Sequence, residues 1–432
     1  MPRVKKQQRN NARQKKCRSC GFEQLDDILS LGNLYVSNFV DSVLVVKREK
    51  LYPLELVLCD ASKGGCGLLQ LRHTVSPKKM YRNYWYRSGV NKTMIDELAG
   101  IANVTEKIVG LKRGDLVVDI GANDGTLLRA YKSPDIKLVG FEPAKNLIPF
   151  AIERTSKIFN NFFERRHLTK EFGNQKAKII TAIAMFYDLD NPNSFVADIK
   201  KSLRDDGLFI IQMSYLPSML KQTAFDNICH EHIEYYSLLS LEQLLARHGL
   251  EVFDVELNDI NGGSFRTYIR HIGSKIGESR YGRKKRREKI LALERQMGLN
   301  SQKPYNKFVS KIKEIKDKLC DFIKSETAKG KKVYVYGAST KGNTLLQYFE
   351  LDNSLITAAA ERNPIKWGKQ TIGTNIPIIS EEQARAERPD YFLVLPWHFM
   401  SEFLQREKRY LQSGGKFIVP LPKFKVIGAK NL

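Results

Sequence analysis

The sequence predicts an α/β protein in three parts, and three observations carry that prediction. Two strand–glycine turn–helix patterns, at 116–126 and 333–349, each open a run of alternating strands and helices. Two cysteine pairs, Cys17/Cys20 and Cys59/Cys66, precede both. A chain of 432 residues is long enough for two or three separate cores. The expected parts are a disordered basic tail (1–16), a cysteine-pinned module (17–80), a central α/β unit (81–275), and a connector with a second α/β unit (276–432).

In the central unit the strands are expected at 116–120, 137–141, 178–184, 207–213, 251–257 and 265–271. A helix before them is marked by Met94, Leu98, Ile101, Ile108 and Leu111. Another covers 240–248, with Ser240 as N-cap, Gln243 at the capping-box position and Gly249 as the stop. The polar stretch 273–303 reads as an exposed helix or connector. Phe308, Ile312, Ile315, Leu319 and Phe322 then mark an amphipathic helix between Pro304 and Gly330. The second α/β unit has strands at 333–336 and near 355–360, 376–379, 391–395 and 416–419.

Hydrophobic residues make up 42% and charged residues 27% of the chain, as in a soluble globular protein. No apolar run approaches the ~20 residues that span a bilayer. The basic start lacks the apolar stretch of a secretory signal. A cytoplasmic protein without a membrane partner is expected, monomeric or weakly oligomeric. Nineteen of the 24 surplus positive charges lie in residues 1–16 and 275–332. They suit either an anionic partner such as RNA or a tail and a solvated connector. The tail has no interleaved aromatic residues for base stacking, which favours the second.

Cys17-x2-Cys20 and Cys59-x6-Cys66 can converge on one tetrahedral zinc ion, closed and therefore structural. Disulfides are the rival, disfavoured in a cytoplasmic chain. The turn Asp119-Ile120-Gly121-Ala122-Asn123-Asp124-Gly125 lacks the dinucleotide spacing G-x-G-x-x-G. It resembles the first motif of class I methyltransferases, which holds S-adenosylmethionine. Glu142 ends the next strand, where doubly wound folds place an acid on the ribose hydroxyls. The core then reads as a class I methyltransferase (Rossmann-like) unit. The later turn Gly337-Ala338-Ser339-Thr340-Lys341-Gly342 opens a helix and suits a phosphate, with Lys341 supplying charge and Asn343 a hydrogen bond. It makes the C-terminal unit Rossmann-like as well.

The stretch Phe225–Ser237 concentrates titratable groups beyond a strand end, among them His230, Glu231 and His232. A His-x-His metal site is the alternative, but no third ligand is evident. Taken with Tyr52–Leu56, Cys66–Leu71, Tyr84–Gly89, Asn261–Arg266 and Tyr336–Thr344, this order of motifs resembles the sugar C-methyltransferase family over about residues 17–425. The resemblance implies S-adenosylmethionine and a nucleotide-diphosphate sugar bearing a 4-keto group. His232 matches the base position and Glu231 its neighbouring acid, with His230 beside them. Tyr86, ahead of Tyr84, matches the donor to the enolate oxygen. Asn261 and Arg266, with Gly337, Ser339, Thr340, Lys341 and Asn343, match substrate-binding positions. Cys229 stands where the family often has Tyr, and Tyr187 or Asp188 where it often has His. A nucleic-acid methyltransferase is the main rival, but Asp190-Asn191-Pro192-Asn193 is not an amino-methylating signature and no Pro-Cys pair exists. A non-catalytic binding protein on the same scaffold is opposed by Asp119, Glu142, Glu231 and His232 all being present.

Overall fold

The computed structural model describes residues 12–41, 49–82, 84–277 and 283–431. Most of the basic tail lies outside them. The central sheet has seven strands: β1 (Leu116–Ile120), β2 (Lys137–Phe141), β3 (Lys157–Phe159), β4 (Ala177–Ile183), β5 (Leu203–Ser214), β6 (Leu250–Asn258) and β7 (Ser264–His271). Their order is β6-β7-β5-β4-β1-β2-β3, with only β7 antiparallel to its neighbours. Strand β1 is buried throughout, as its apolar run requires. The helix Lys92–Val109 buries Leu98, Ile101 and Ala102 and stops at Gly110, in the left-handed region at φ +59. Leu111 therefore falls beyond it. Sequence reading missed β3, a short edge strand with no fully buried residue.

The helix Leu238–Ala246 begins earlier than expected. Ser237 is its N-cap and Ser240 the capping-box partner, so Gln243 plays neither role. A distant carboxylate completes the cap: buried Glu294 accepts from the N–H groups of Leu238 and Leu239 at 2.7 and 2.8 Å. Glu294 belongs to the helix Arg283–Met297, expected as exposed. Ile290 and Leu291 of that helix are also buried against the central unit. Arg287 pairs with Glu242 at 2.5 Å, and Arg286 with Asp254. Two of the five basic-block residues thus serve internal packing.

The N-terminal strands Asp26–Tyr35, Leu51–Leu58 and Leu69–Leu71 form an antiparallel sheet. Its fourth strand, Glu234–Tyr235, comes from the central segment. In the C-terminal sheet the strands Val333–Tyr336, Ala358–Glu361, Ile378–Ser380, Tyr391–Val394 and Lys416–Val419 are parallel. From Val333–Tyr336 the chain winds first to one side, then to the other through Tyr391–Val394. A crevice at the carboxyl ends of those two strands is where such sheets hold ligands. One apolar core joins Leu54 and Leu56, Phe225 and Ile228, the helix Lys303–Ala328 and the C-terminal sheet. The segment 225–235 is therefore clasped between the N-terminal and C-terminal units. No helix of the described residues is long and apolar enough to cross a membrane.

Candidate active site

The turn after β1 holds three residues in the left-handed region, Gly121 (φ +74), Asn123 (φ +52) and Gly125 (φ +79). A Cβ on Gly121 would lie 3.1 Å from Met185 Cγ, so a side chain there would crowd the turn. Ala122 is buried under β2 and contributes only its backbone, its N–H donating to the Phe141 carbonyl at 3.0 Å. Glu142 accepts from the Asn123 N–H at 2.8 Å and the Ala144 N–H at 2.7 Å, one on each oxygen. Each oxygen keeps a lone pair, which fits two vicinal hydroxyls. Burial pushes the Glu142 carboxyl up to about 7 against those two bonds. Asp119 accepts from Thr181 Oγ1 at 2.6 Å and is also raised to about 7, by burial first and then by the Glu142 charge, with the Thr181 bond opposing.

These values give a pH prediction. Ribose hydroxyls donate best to an ionised carboxylate, and Glu142 is protonated below about 7. S-adenosylmethionine affinity should therefore rise up to about tenfold between pH 6 and 8. Calorimetric titration of Glu142→Gln should lose most of that rise.

Residues 84–90 lie across this turn. Asn123 Oδ1 accepts from the Ser88 N–H at 2.9 Å, and its Nδ2 donates to the Tyr86 carbonyl at 3.1 Å. Asp124 accepts from the Gly89 N–H at 2.8 Å. Asn146 brackets the Tyr84 backbone with bonds of 3.0 and 2.9 Å. This places the two tyrosines differently. Burial raises the Tyr84 phenol, and the acids acting on it are Asp188, Glu231 and Glu142, with Cys229. Tyr86 is raised to about 12 by burial and by Asp124 alone. Tyr84 therefore lies within the influence of both Glu142 and the titratable cluster, and Tyr86, the expected donor, within that of Asp124.

In that cluster His232 donates Nδ1–H to the Asn227 carbonyl at 3.0 Å and packs on Tyr187 with ring centres 4.4 Å apart. Its Nε2 thus keeps the lone pair. Burial, then the Lys341 charge, lower its pKa to about 3 against the Asn227 bond, so the ring is neutral at working pH. The group that orients the ring is the Asn227 carbonyl. Burial raises the Glu231 carboxyl, and its Oε2 has no partner. Asp188 is likewise raised by burial, with Oδ1 unpartnered. Tyr81 donates to the Glu231 carbonyl at 3.2 Å.

From the C-terminal unit, Lys341 Nζ donates to Asn227 Oδ1 at 2.6 Å. Lys341 lies in the first turn of the helix Thr340–Phe349, whose N-cap is Ser339. Across the crevice, Trp397 Nε1 donates to Asp226 at 3.3 Å. The Asn261–Gly263 turn packs there too, where a Cβ added to Gly262 would lie 3.6 Å from the Trp397 ring. His398 adds a ring lowered to about 4 by burial and by Lys341.

The four N-terminal thiols converge. Their sulfur atoms all lie within 4.8 Å of one another, with Cys17–Cys66 at 3.6 Å and Cys20–Cys59 at 3.5 Å. Zinc–sulfur bonds of about 2.3 Å place tetrahedral sulfurs about 3.8 Å apart, so the set fits one ion. A Cβ on Gly65 would fall 2.6 Å from Cys59 Sγ, which explains the glycine inside the six-residue excursion.

Comparison with known proteins agrees with this layout. The family described as "C-methyltransferase C-terminal domain" matches residues 259–422. A methyltransferase domain matches 86–255 and a zinc binding domain 17–81. The C-methyltransferase NovU of Streptomyces niveus is 31% identical over 428 residues, covering 96% of this chain and 97% of its own. The chain belongs to the C-methyltransferase family. It is an S-adenosylmethionine-dependent methyltransferase carrying a four-cysteine zinc module. Similar solved structures include an S-adenosylmethionine-dependent methyltransferase from Clostridium acetobutylicum, 11% identical over 41% of this chain and 92% of that one, with a TM-score of 0.33. Another is the plantazolicin methyltransferase BamL in complex with a triazolic desmethylPZN analog and SAH, 15% identical over 42% and 86%, with a TM-score of 0.33.

Three expected site residues of this C-methyltransferase also make structural bonds. Arg266 bonds Glu97 at 2.5 Å and Gln212 at 2.8 Å, tying the helix Lys92–Val109 to the sheet. Asn343 Nδ2 donates to the Asn38 carbonyl at 2.9 Å, docking the N-terminal unit. His230 Nε2 donates to the Tyr52 carbonyl at 3.2 Å, facing the N-terminal sheet. Gly337, with φ +88, packs on Pro396 and shapes the crevice. Sequence reading did not single out Asn227, Tyr81, Trp397 or His398. The aromatic run Trp397–His398–Phe399 just beyond a strand end was the one available signal.

Proposed function

We propose that this C-methyltransferase methylates the carbon beside the ketone of a nucleotide-linked keto-deoxy sugar, with His232 as the base. The observation that carries this reading is the imidazole held at Nδ1 by a carbonyl, neutral, with Nε2 free to take a proton. Bound S-adenosylmethionine supplies an electrophilic methyl carbon. Asn123, Glu142 and the glycine turn hold the cofactor. His232 removes the proton that the ketone acidifies. The Tyr84 phenol, kept protonated by its surroundings, donates to the enolate oxygen. The protonated forms of Glu231 and Asp188, favoured by burial, are further donors. Lys341 and the turn Gly337–Gly342 receive the diphosphate, with Ser339 and Thr340 lining the turn.

The test incubates the protein with methyl-labelled S-adenosylmethionine and a panel of nucleotide 4-keto sugars, with RNA as control. Label on a sugar carbon supports the reading, and label on RNA alone overturns it. Lys341→Met should raise the KM for the sugar nucleotide about tenfold or more, the worth of one charge-assisted bond.

A further inference from the structure

We propose that Asn227 is a positioning residue through which Lys341 governs the base: the ammonium rests on the Asn227 side chain until a phosphate-bearing substrate draws it away. This rests on the diphosphate reading above. Asn227 is buried and its groups are all engaged. Its Nδ2 donates to the Ala224 carbonyl at 3.1 Å, and its Oδ1 accepts from Lys341 at 2.6 Å. Its carbonyl accepts from His232 Nδ1 at 3.0 Å and from the Tyr235 hydroxyl at 3.4 Å. One residue therefore touches both the base and the cation brought by the C-terminal unit, 114 positions away. The ammonium's partner here is a neutral amide. A phosphate oxygen adds the attraction of an opposite charge to the same hydrogen bond and draws the ammonium away.

The exchange has a chemical consequence. Around the His232 ring stand Tyr187, the Asn227 carbonyl and the Lys341 charge, with Glu234 and Tyr235 lining the same cavity. After burial, that charge is the main influence lowering the basicity of the ring. Once an anion neutralises or moves it, His232 becomes a stronger base, and does so only with substrate in place. A base nearer the working pH removes a carbon-bound proton faster.

The experiment follows the 15N signals of His232, assigned with His232→Asn, in the full zinc-loaded chain with inorganic pyrophosphate as the probe. In the wild type, pyrophosphate should move the His232 signals and raise the pH at which the ring takes up its proton. Lys341→Met should show that change without pyrophosphate and no further change with it. Asn227→Asp, equal in size but charged, should weaken pyrophosphate binding about tenfold by holding the ammonium more tightly. Should that variant fail to fold, the Lys341→Met comparison decides alone. Pyrophosphate binding with His232 unmoved overturns the latch and leaves the sugar reading standing. No binding at millimolar pyrophosphate overturns both latch and cradle. A moved His232 with no transfer to any sugar removes the substrate assignment and supports the latch.

Discussion

His232→Asn should bind S-adenosylmethionine with unchanged affinity and lose methyl transfer by about 10²–10⁴-fold, the usual worth of a positioned base. The cofactor turn 119–125 and Glu142 take no bond from His232, whose Nδ1 partner is Asn227. Binding and transfer therefore separate. Asparagine keeps a donor toward the Asn227 carbonyl and removes the Nε2 lone pair, so the change is chemical more than structural. Deuterium exchange at the acidic substrate carbon, without cofactor, isolates proton removal from transfer. Equal exchange by wild type and variant would show that some other group is the base.

Zinc removal is expected to have the second large effect. Binding of a four-thiolate zinc is worth about 10–16 kcal/mol in small zinc domains. Here the ion closes the ends of the sheet formed by Asp26–Tyr35, Leu51–Leu58 and Leu69–Leu71. That sheet pairs with Glu234–Tyr235, two residues beyond His232, and the Tyr52 carbonyl holds His230. Loss of the ion therefore loosens the floor of the site along with the module. Cys59→Ser should abolish stoichiometric zinc, lower the Tm by roughly 10 °C or more and remove transfer. Cys320→Ser, on a helix of the C-terminal unit, should leave the zinc content intact. Metal analysis beside thermal unfolding checks both. A Cys59→Ser protein with wild-type Tm and activity would rule out this role for the module.

The reach of the sequence varied with the distance over which each feature is caused. Strands β1 and β2 were legible to the residue because an apolar run buried on both faces and a glycine turn are local signals. The cysteine pairs and the first acid–glycine turn were legible for the same reason. The N-cap at Ser237 was misplaced by three residues because Ser240 also fits the pattern and because Glu294, 56 positions beyond Leu238, completes the cap. Arg266 and Asn343 carry side chains suited to a ligand, and only packing shows them turned to Glu97 and Asn38. Tyr84 and Tyr86 are alike in type and exposure, at 37% and 41%, and packing sets Tyr84 beside Tyr81 and near Asp188 and Glu231, Tyr86 near Asp124.

The chain alone determined an α/β protein with a four-thiol module, an acid–glycine turn for an adenosyl cofactor, and a histidine–glutamate pair beyond a strand end. Each of these is written within a few tens of residues, where backbone geometry and side-chain period act directly. Tertiary structure decided which nitrogen of His232 is free, which acids each tyrosine faces, and that Lys341 reaches Asn227. Lys341 and Asn227 are 114 positions apart and only the packed core brings them together, while the His232–Asn227 bond is local and is set by the burial of the same segment.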